Sequence, residues 1–472
     1  MSMFDFEFDD HEDPIEGLRL GDVVESYERA HREGSGEYFD SETLEDIATF
    51  YFENEEFEKA LAVIDEIAEA QPFSSDVWLR RGVVLNTLDR HEEAIDAYRR
   101  ALSFNPMDSE ANLNLGISLD HMDEPSSALE AYEKASQIDP LNDELLFQTG
   151  VTLSKLGEFE KAVESLERCC EVRPDHPFAW YELAYCFDLL GEHETSLNCY
   201  DRQLEIDPFS ANSWYNRGIV LNRLERFDNA IASYDMALAL YDDFASAWFN
   251  RGNALAVLGR FADAIDSYKL VLNLESEDAV THCSIATAYD ELGDHARAEN
   301  YFRESLAINP DYIESWFGLG CCKESQGDHQ EAIRSFEEAI RINGDDHDIW
   351  YAKADSEYNA RMLNAAVNSY RHVTRLDPKN HEAWLDYGDT LFEALRFDDS
   401  LRAYNRALAL HADADAYFGF GRVLLALGRY RESMNAFRAS FRLNPAKRSS
   451  FLEAYPDLCR DKHIRRILSL PK

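Results

Sequence analysis

The sequence repeats with a single period of 34 residues. Each of the seven tryptophans in the 472-residue chain lies at the same phase of a 34-residue step. They are Trp78, Trp180, Trp214, Trp248, Trp316, Trp350 and Trp384. The same step relates the prolines Pro72, Pro106, Pro140, Pro174, Pro208, Pro310 and Pro378, and the glycines Gly82, Gly116, Gly150, Gly218, Gly252, Gly320 and Gly388. A fixed period indicates a stack of one small structural unit, not the roughly three unrelated domains that length alone suggests.

One copy of the repeat, residues 211–244, predicts two helices. Its apolar and small residues recur at intervals of three and four, first over Trp214 to Leu221 and then over Ala230 to Ala237. The short segment "ERFD" connects the two runs. We expect the small side chains of Gly218 and Ala230 to let the helices approach closely. Each copy is then a helical hairpin with an apolar face that only a neighbouring copy can bury.

This pattern resembles the tetratricopeptide repeat family, whose unit is a 34-residue helix–turn–helix. The resemblance implies an all-α, right-handed α-solenoid of about twelve units with helical caps. We expect an acidic N-terminal segment and capping helix over 1–40, the repeats over 41–447, and a basic C-terminal capping helix over 448–472. Asp242, Ser276 and Gly344 replace the usual proline in their copies, and these copies could bend differently.

The net charge of −45 restricts the possible partners. Nucleic acid and anionic membranes are repelled by such a chain. We also do not expect RNA binding of the kind found in pentatricopeptide repeat proteins. Their repeat has 35 residues and needs basic surfaces to bind phosphate. The 35 arginines far outnumber the 11 lysines. The excess of acid favours a halophile-like protein kept soluble by high salt, and the alternative is an ordinary acidic, solvated face.

Three sequence features predict a cytoplasmic location. The N-terminal "MSMFDFEFDDHEDP" has neither the basic start nor the apolar run of a secretory signal, and no segment is apolar enough for a membrane span. The eight cysteines include two pairs that are adjacent in sequence, Cys169–Cys170 and Cys321–Cys322. Neighbouring helical residues point in different directions, so these pairs indicate reduced thiols.

Sequence motifs for catalysis are missing. There is no Gly-rich phosphate loop, HExxH, GxSxG or paired CxxC. Histidines His91, His193, His295 and His329 share a repeat position with Phe159, Phe227 and Phe261, which predicts a structural role. We therefore expect no enzyme, no cofactor and no metal site.

The remaining candidate is a binding surface. By resemblance to the family, the second, fifth, ninth, twelfth and thirteenth residues of each first helix face a concave groove. In the middle repeats these positions carry aromatic and amide side chains, which suit a peptide segment. The candidate binding residues are Phe178, Tyr181, Tyr185, Asn212, Tyr215, Asn222, Arg223, Phe249 and Asn253. The alternative is that Tyr181, Tyr215 and Phe249 are partly buried between neighbouring hairpins.

The predicted function is a non-catalytic scaffold or adaptor that binds an extended segment or subunit of a protein in its groove. The expected partner is a protein or peptide, neutral or basic, with apolar anchors. Two alternatives remain: a regulatory subunit of a separately encoded enzyme, and a structural component of an assembly.

The two ends of the chain differ in charge. Residues 1–58 contain 20 acidic residues and three arginines, whereas residues 416–472 contain twelve basic and four acidic residues. Arg448, Arg465 and Arg466 could dock an acidic surface, including the N-terminal end of another copy in a head-to-tail arrangement. The alternatives are a nucleic-acid phosphate contact and simple balancing of the acidic array.

Overall fold

The computed structural model describes residues 14–34, 37–275, 277–460 and 464–465. These residues fall into two compact parts, an N-terminal half that ends at Leu240 and a C-terminal half that begins at Tyr241. Both are built from helices alone over the described ranges, as the sequence predicted.

The N-terminal half contains α1 (Pro14–Glu33), α2 (Ser41–Glu53), α3 (Phe57–Ala70), α4 (Ser75–Thr87), α5 (His91–Phe104), α6 (Ser109–His121), α7 (Pro125–Ile138), α8 (Asp143–Lys155), α9 (Phe159–Val172), α10 (Ala179–Leu189), α11 (His193–Ile206), α12 (Ala211–Arg223) and α13 (Phe227–Leu240). The C-terminal half contains α14 (Ala245–Val257), α15 (Phe261–Leu274), α16 (Ala279–Glu291), α17 (His295–Ile308), α18 (Ile313–Ser325), α19 (His329–Ile342), α20 (His347–Asn359), α21 (Leu363–Leu376), α22 (His381–Glu393), α23 (Phe397–Leu410), α24 (Ala414–Ala426), α25 (Tyr430–Leu443), α26 (Lys447–Ala454) and a 3₁₀ turn (Leu458–Arg460). Helices α2 to α25 pair consecutively, which is compatible with the predicted twelve hairpins.

Polar caps and tight turns set the helix ends. Several first helices begin after a residue whose side chain accepts a hydrogen bond from the backbone three residues on, such as Asp108 at α6 and Asn142 at α8. Inside the hairpins, the turn residue takes a left-handed conformation, with φ of 76° at Gly157 and 57° at Glu225. That conformation ends the first helix and lets the chain reverse.

A backbone hydrogen bond explains why tryptophan and proline share one phase. The indole Nε1 of each tryptophan donates to the carbonyl oxygen six residues earlier, at 2.8–3.1 Å. In five repeats that carbonyl belongs to the proline. In two it belongs to Asp242 or Gly344, and the bond is unchanged at 2.9 Å. Loss of the proline therefore leaves this contact intact in those repeats, because a carbonyl is present in any residue.

The predicted close approach of the two helices is present. Gly218 lies directly under the ring of Tyr234, and a Cβ atom at position 218 would be 2.4 Å from that ring. Tyr234 itself is fully buried. The same contact recurs between Gly116 and Tyr132 and between Gly252 and Tyr268. The core is thus a series of small-to-large pairs repeated along each half.

Helix α1 packs on the first hairpin. Tyr27 is buried, and its hydroxyl donates to Glu66 on α3 at 2.8 Å. Val24 and Ala30 are also buried. The side chains of Ile15 and Leu18, apolar residues in the first part of α1, are not among those described.

The predicted C-terminal capping segment, 448–472, is not one continuous helix over its described residues. Helix α26 ends at Ala454, and a 3₁₀ turn follows at Leu458–Arg460. The reason is Pro456, which disfavours a helical conformation at the preceding residue, Tyr455. Phe451 is nevertheless fully buried against Phe437 and Phe441, so this segment covers the last hairpin.

Candidate interaction surfaces

The first helices form the inner layer of each half. Successive first helices contact one another, for example α6 with α8 and α8 with α10 in the N-terminal half, and α16 with α18 and α18 with α20 in the C-terminal half. Over the described residues, the second helices of successive hairpins approach each other less closely. A stack that is tighter on one side curves toward that side, so the layer of first helices is locally concave.

Exposed aromatic and apolar side chains lie on α10 and just before it. Phe178, Tyr185 and Leu189 are 58%, 43% and 44% exposed. We call these three residues the α10 apolar surface. Apolar groups this exposed on a strongly charged chain are a candidate contact surface, because aromatic side chains give a large contact area at small entropic cost.

The neighbouring predicted tyrosines are partly used inside the fold. Tyr181 is half-buried, its ring lies edge-on to Tyr200 at 5.8 Å, and its hydroxyl accepts a hydrogen bond from Asn216 at 2.7 Å. Tyr215 is half-buried and lies 6.0 Å from the ring of Tyr234. One side of each ring therefore packs on its own hairpin, and ligand binding by these tyrosines stays a prediction.

Two predicted polar residues hold hairpins together. Asn222 donates to the hydroxyl of Tyr234 at 2.9 Å. Arg223 on α12 forms an ion pair with Asp188 on α10, whose side chain is only 11% exposed. Asn212, at the start of α12, is exposed.

The predicted residues of α14 lie in the C-terminal half. Phe249 is half-buried, with its ring 5.6 Å from that of Tyr268. Asn253 accepts a hydrogen bond from the hydroxyl of Tyr268 at 2.7 Å. Val257 on the same helix is 64% exposed. Asn253, like Asn222, thus forms a hydrogen bond with a tyrosine hydroxyl of its own hairpin.

A cluster of tyrosine–carboxylate pairs occupies the inner layer around α20 and α22. Three hydroxyls donate to carboxylates: Tyr351 to Asp386, Tyr358 to Glu393, and Tyr370 to Asp355. Asp389 on α22 is paired with Arg422 at 2.9 Å. The sequence analysis did not single out Asp355 or Asp386. The ninth position of α20 could have indicated Asp355, because that position faces the groove by family resemblance.

Burial changes the acidity of this cluster. It raises the pKa of the Asp355 carboxyl to about 6, with the negative charges of Asp386 and Glu324 adding to the effect and the Tyr370 hydrogen bond opposing it. Burial also raises the pKa of Asp386 and of Asp389, and the Arg422 guanidinium opposes the rise at Asp389. Carboxylates held close together and away from water favour a cation as their neighbour.

We expect Asp355→Asn to stabilise the protein at pH 7. The folded-state pKa of Asp355 lies above its ordinary value of 3.8, so the folded protein holds this proton more tightly than the unfolded chain. Its contribution is favourable at low pH and is lost as pH rises through about 6. After allowance for partial solvent exposure, the variant should gain about 1 kcal/mol at pH 7 and nothing near pH 4. Urea denaturation across this pH range measures the difference. The exposed Asp345→Asn is the control for removing one negative charge, and an equal gain there would contradict the burial argument.

The described cysteines are free thiols, and six of the seven are buried. Burial raises the pKa of Cys169, Cys170 and Cys199 to about 12. A thiol protonated at neutral pH is a poor nucleophile.

Within the described ranges, none of the helices combines the length and apolar character that a bilayer crossing requires.

The basic C-terminal residues are only partly described. Arg448 is half-buried in α26, with its guanidinium 5.9 Å from the ring centre of Phe441. Arg465 is half-buried and has an interaction partner. Arg466 lies outside the described residues. A docking role for these three arginines stays a prediction.

Comparison with known protein families supports the repeat assignment directly. One tetratricopeptide repeat model matches residues 46–106, 190–243, 215–278, 351–415 and 388–447, together more than half of the chain. The chain belongs to the tetratricopeptide repeat family. Two further tetratricopeptide repeat models match residues 291–356 and 143–186. Proteins built from this repeat are in general protein-interaction scaffolds, and that broad class applies here.

Solved structures similar to this tetratricopeptide repeat chain cover parts of it. The crystal structure of MamA is 24% identical, with 34% of this chain and 95% of that chain covered and a TM-score of 0.34. YrrB, described as a TPR protein with an unusual peptide-binding site, is 22% identical, with 39% and 95% covered and a TM-score of 0.36. A tetratricopeptide repeat protein from Parabacteroides merdae is 19% identical, with 52% and 98% covered and a TM-score of 0.39. The comparison with curated proteins finds no significant match.

Proposed function

We propose that this chain is a non-catalytic scaffold that binds an extended protein segment on the inner layer of its N-terminal half. The observation that carries the proposal is the α10 apolar surface, where Phe178, Tyr185 and Leu189 are exposed on or just before the first helix of a hairpin. Tyr181 on α10 and Tyr215 on α12 each have one side of the ring packed on their own hairpin. Pre-packed aromatic side chains lose little entropy when a ligand binds.

The expected ligand segment has apolar anchors and a neutral or positive charge. The net charge of −45 attracts basic segments and repels acidic ones. The tyrosine–carboxylate cluster of the C-terminal half favours cations on its own inner layer. Free thiols fit a reducing cytoplasm as the working compartment. A regulatory subunit of a separate enzyme or an assembly component would use the same kind of surface, and head-to-tail association through the basic end remains a further proposal.

The binding test compares two triple variants of the full-length chain. Peptides selected from a random display library on the wild-type protein are labelled, and their affinities are measured by fluorescence anisotropy. Phe178→Ala, Tyr185→Ala and Leu189→Ala together should weaken binding by at least about tenfold, because buried anchors of an interface dominate its affinity. The selected peptides should contain more Lys and Arg than Asp and Glu.

The matched control removes exposed apolar residues from loops of the same half. Phe73, Leu141 and Phe209 are 79%, 64% and 78% exposed. Their combined replacement by Ala should change affinity by less than about twofold, as expected for side chains outside an interface. Equal losses in the two triple variants, or unchanged binding in the α10 variant while helicity is retained, would reject the α10 apolar surface as the ligand site.

A further inference from the structure

Three different metal-binding side chains converge where the α16–α17 hairpin meets α18. They are Asp290 near the end of α16, His295 at the start of α17, and Cys322 in α18. One oxygen, one ring nitrogen and the sulfur of these residues all lie within 4.8 Å of one another. Among the residues that the structure describes, no other group of three or more His, Cys, Asp or Glu side chains meets this criterion for holding a metal ion.

The local geometry fixes two of the three groups in place. His295 Nδ1 is 2.6 Å from Asp290 Oδ1, so these two side chains are already paired. Cys322 is fully buried, and its sulfur is 3.5 Å from the backbone oxygen of His295. Gln326, one turn further along α18, donates to this sulfur at 3.4 Å. The thiol therefore faces the Asp290–His295 pair from the next hairpin.

Other hairpins contain the same pair without the thiol. His193 binds Asp188 at 3.0 Å, and His329 binds Glu324 at 3.0 Å. The repeat position equivalent to Cys322 holds Val220 beside the first pair and Ser356 beside the second. A histidine–carboxylate pair alone thus satisfies the structural role that the sequence interpretation gave these histidines. Ser356 donates to Glu324 at 2.6 Å, so a residue at this position can also serve the pair through a hydroxyl. Beside Asp290 and His295 the position carries a thiol, which is a far better zinc ligand than a serine hydroxyl.

The site is also open to solvent on one side. His295 lines a shallow surface depression together with Leu292, Gly293, Asp294, Glu299 and Gln326. Its own side chain is 33% exposed and that of Asp290 is 24% exposed. An ion can therefore reach the pair from water, and a water molecule can complete its coordination.

We propose that Asp290, His295 and Cys322 bind a zinc-class divalent cation. Thiolate and imidazole ligands select Zn²⁺ over Mg²⁺ and Ca²⁺, which prefer oxygen. Ligand atoms around tetrahedral Zn²⁺ lie about 3.5 Å apart, so separations of up to 4.8 Å close with small side-chain rotations. The cation replaces the proton shared by His295 and Asp290 and the proton of the Cys322 thiol, and water takes the fourth position. Bound metal would link α16, α17 and α18 across the junction of two hairpins.

Cobalt is the probe, because Co²⁺ occupies such sites and reports thiolate ligation in its absorption spectrum. Metal-free, reduced full-length protein is titrated with Co²⁺ and then with Zn²⁺. We expect one equivalent of Co²⁺ to produce a near-ultraviolet thiolate-to-cobalt charge-transfer band, which Zn²⁺ then removes. Cys322→Ser should abolish the band and weaken Zn²⁺ binding at least tenfold. The same repeat position holds serine at Ser118 and Ser356, so this variant is expected to fold.

Two further variants make the result specific. Cys321→Ser changes the adjacent thiol and should keep the band. His295→Phe places the residue found at the equivalent Phe227 and Phe261, and it should weaken metal binding without loss of helicity. Equimolar Zn²⁺ should raise the melting temperature of the wild type but not of Cys322→Ser. Absence of the band at stoichiometric Co²⁺, or an identical band in Cys322→Ser, would overturn the proposal.

Discussion

The melting temperature should rise steeply when KCl is increased from low to molar concentration. A chain with a net charge of −45 opposes its own compaction through charge repulsion, and salt screens that repulsion. The screening length falls from about 30 Å at 0.01 M to about 3 Å at 1 M. We expect an increase on the order of 10 °C, equivalent to a few kcal/mol for a fold of this size. Far-ultraviolet circular dichroism measures the transition.

The shape of the salt response distinguishes screening from general salting-out. Screening gives most of its effect below about 0.5 M, whereas salts that act by exclusion continue to stabilise at higher concentration. The response should also weaken as the pH approaches the sequence pI of about 4.5, where the net charge vanishes. A flat melting temperature over the whole range would remove the halophile-like interpretation and leave an ordinary acidic surface.

Gly218→Val should strongly destabilise the N-terminal half. A Cβ atom at this position would be 2.4 Å from the fully buried Tyr234 ring, and valine adds two further carbons. The ring is fully buried and its hydroxyl accepts a hydrogen bond from Asn222, so a shift large enough for valine is costly. Overpacking of this kind costs about 3 kcal/mol. Urea denaturation followed by circular dichroism should show the loss.

Two comparisons test the steric reason for this loss. Gly218→Ala should cost much less, because Ala184 and Ala354 occupy the equivalent position in other hairpins, opposite Tyr200 and Tyr370. Gly21→Val in α1 is the control, since a Cβ there meets nothing within 4 Å. If Gly218→Val were as stable as Gly21→Val, the glycine would not be required for the close approach of the helices.

The sequence by itself determined the helices, their pairing and their step along the chain. This was possible because the main contacts of a repeat are with itself and its neighbours, so they recur at a fixed separation. The tryptophan–carbonyl bond and the glycine–tyrosine contact both lie within or next to one repeat. The broad class of function followed from the family, whereas a ligand site at the hairpin that carries Tyr185 stays a proposal.

Only the tertiary structure decided how individual side chains are used. Asn222 and Asn253 were expected in the groove, but each bonds to a tyrosine hydroxyl of its own hairpin. Cys322 approaches His295 only because α18 packs beside the preceding hairpin. These differences arise because repeat position sets the direction of a Cα–Cβ bond, whereas rotamers and neighbouring side chains set the partner. The sequence therefore predicts which face of a helix a residue occupies. Packing decides whether its side chain can contact a ligand or instead bonds to a neighbour within the fold.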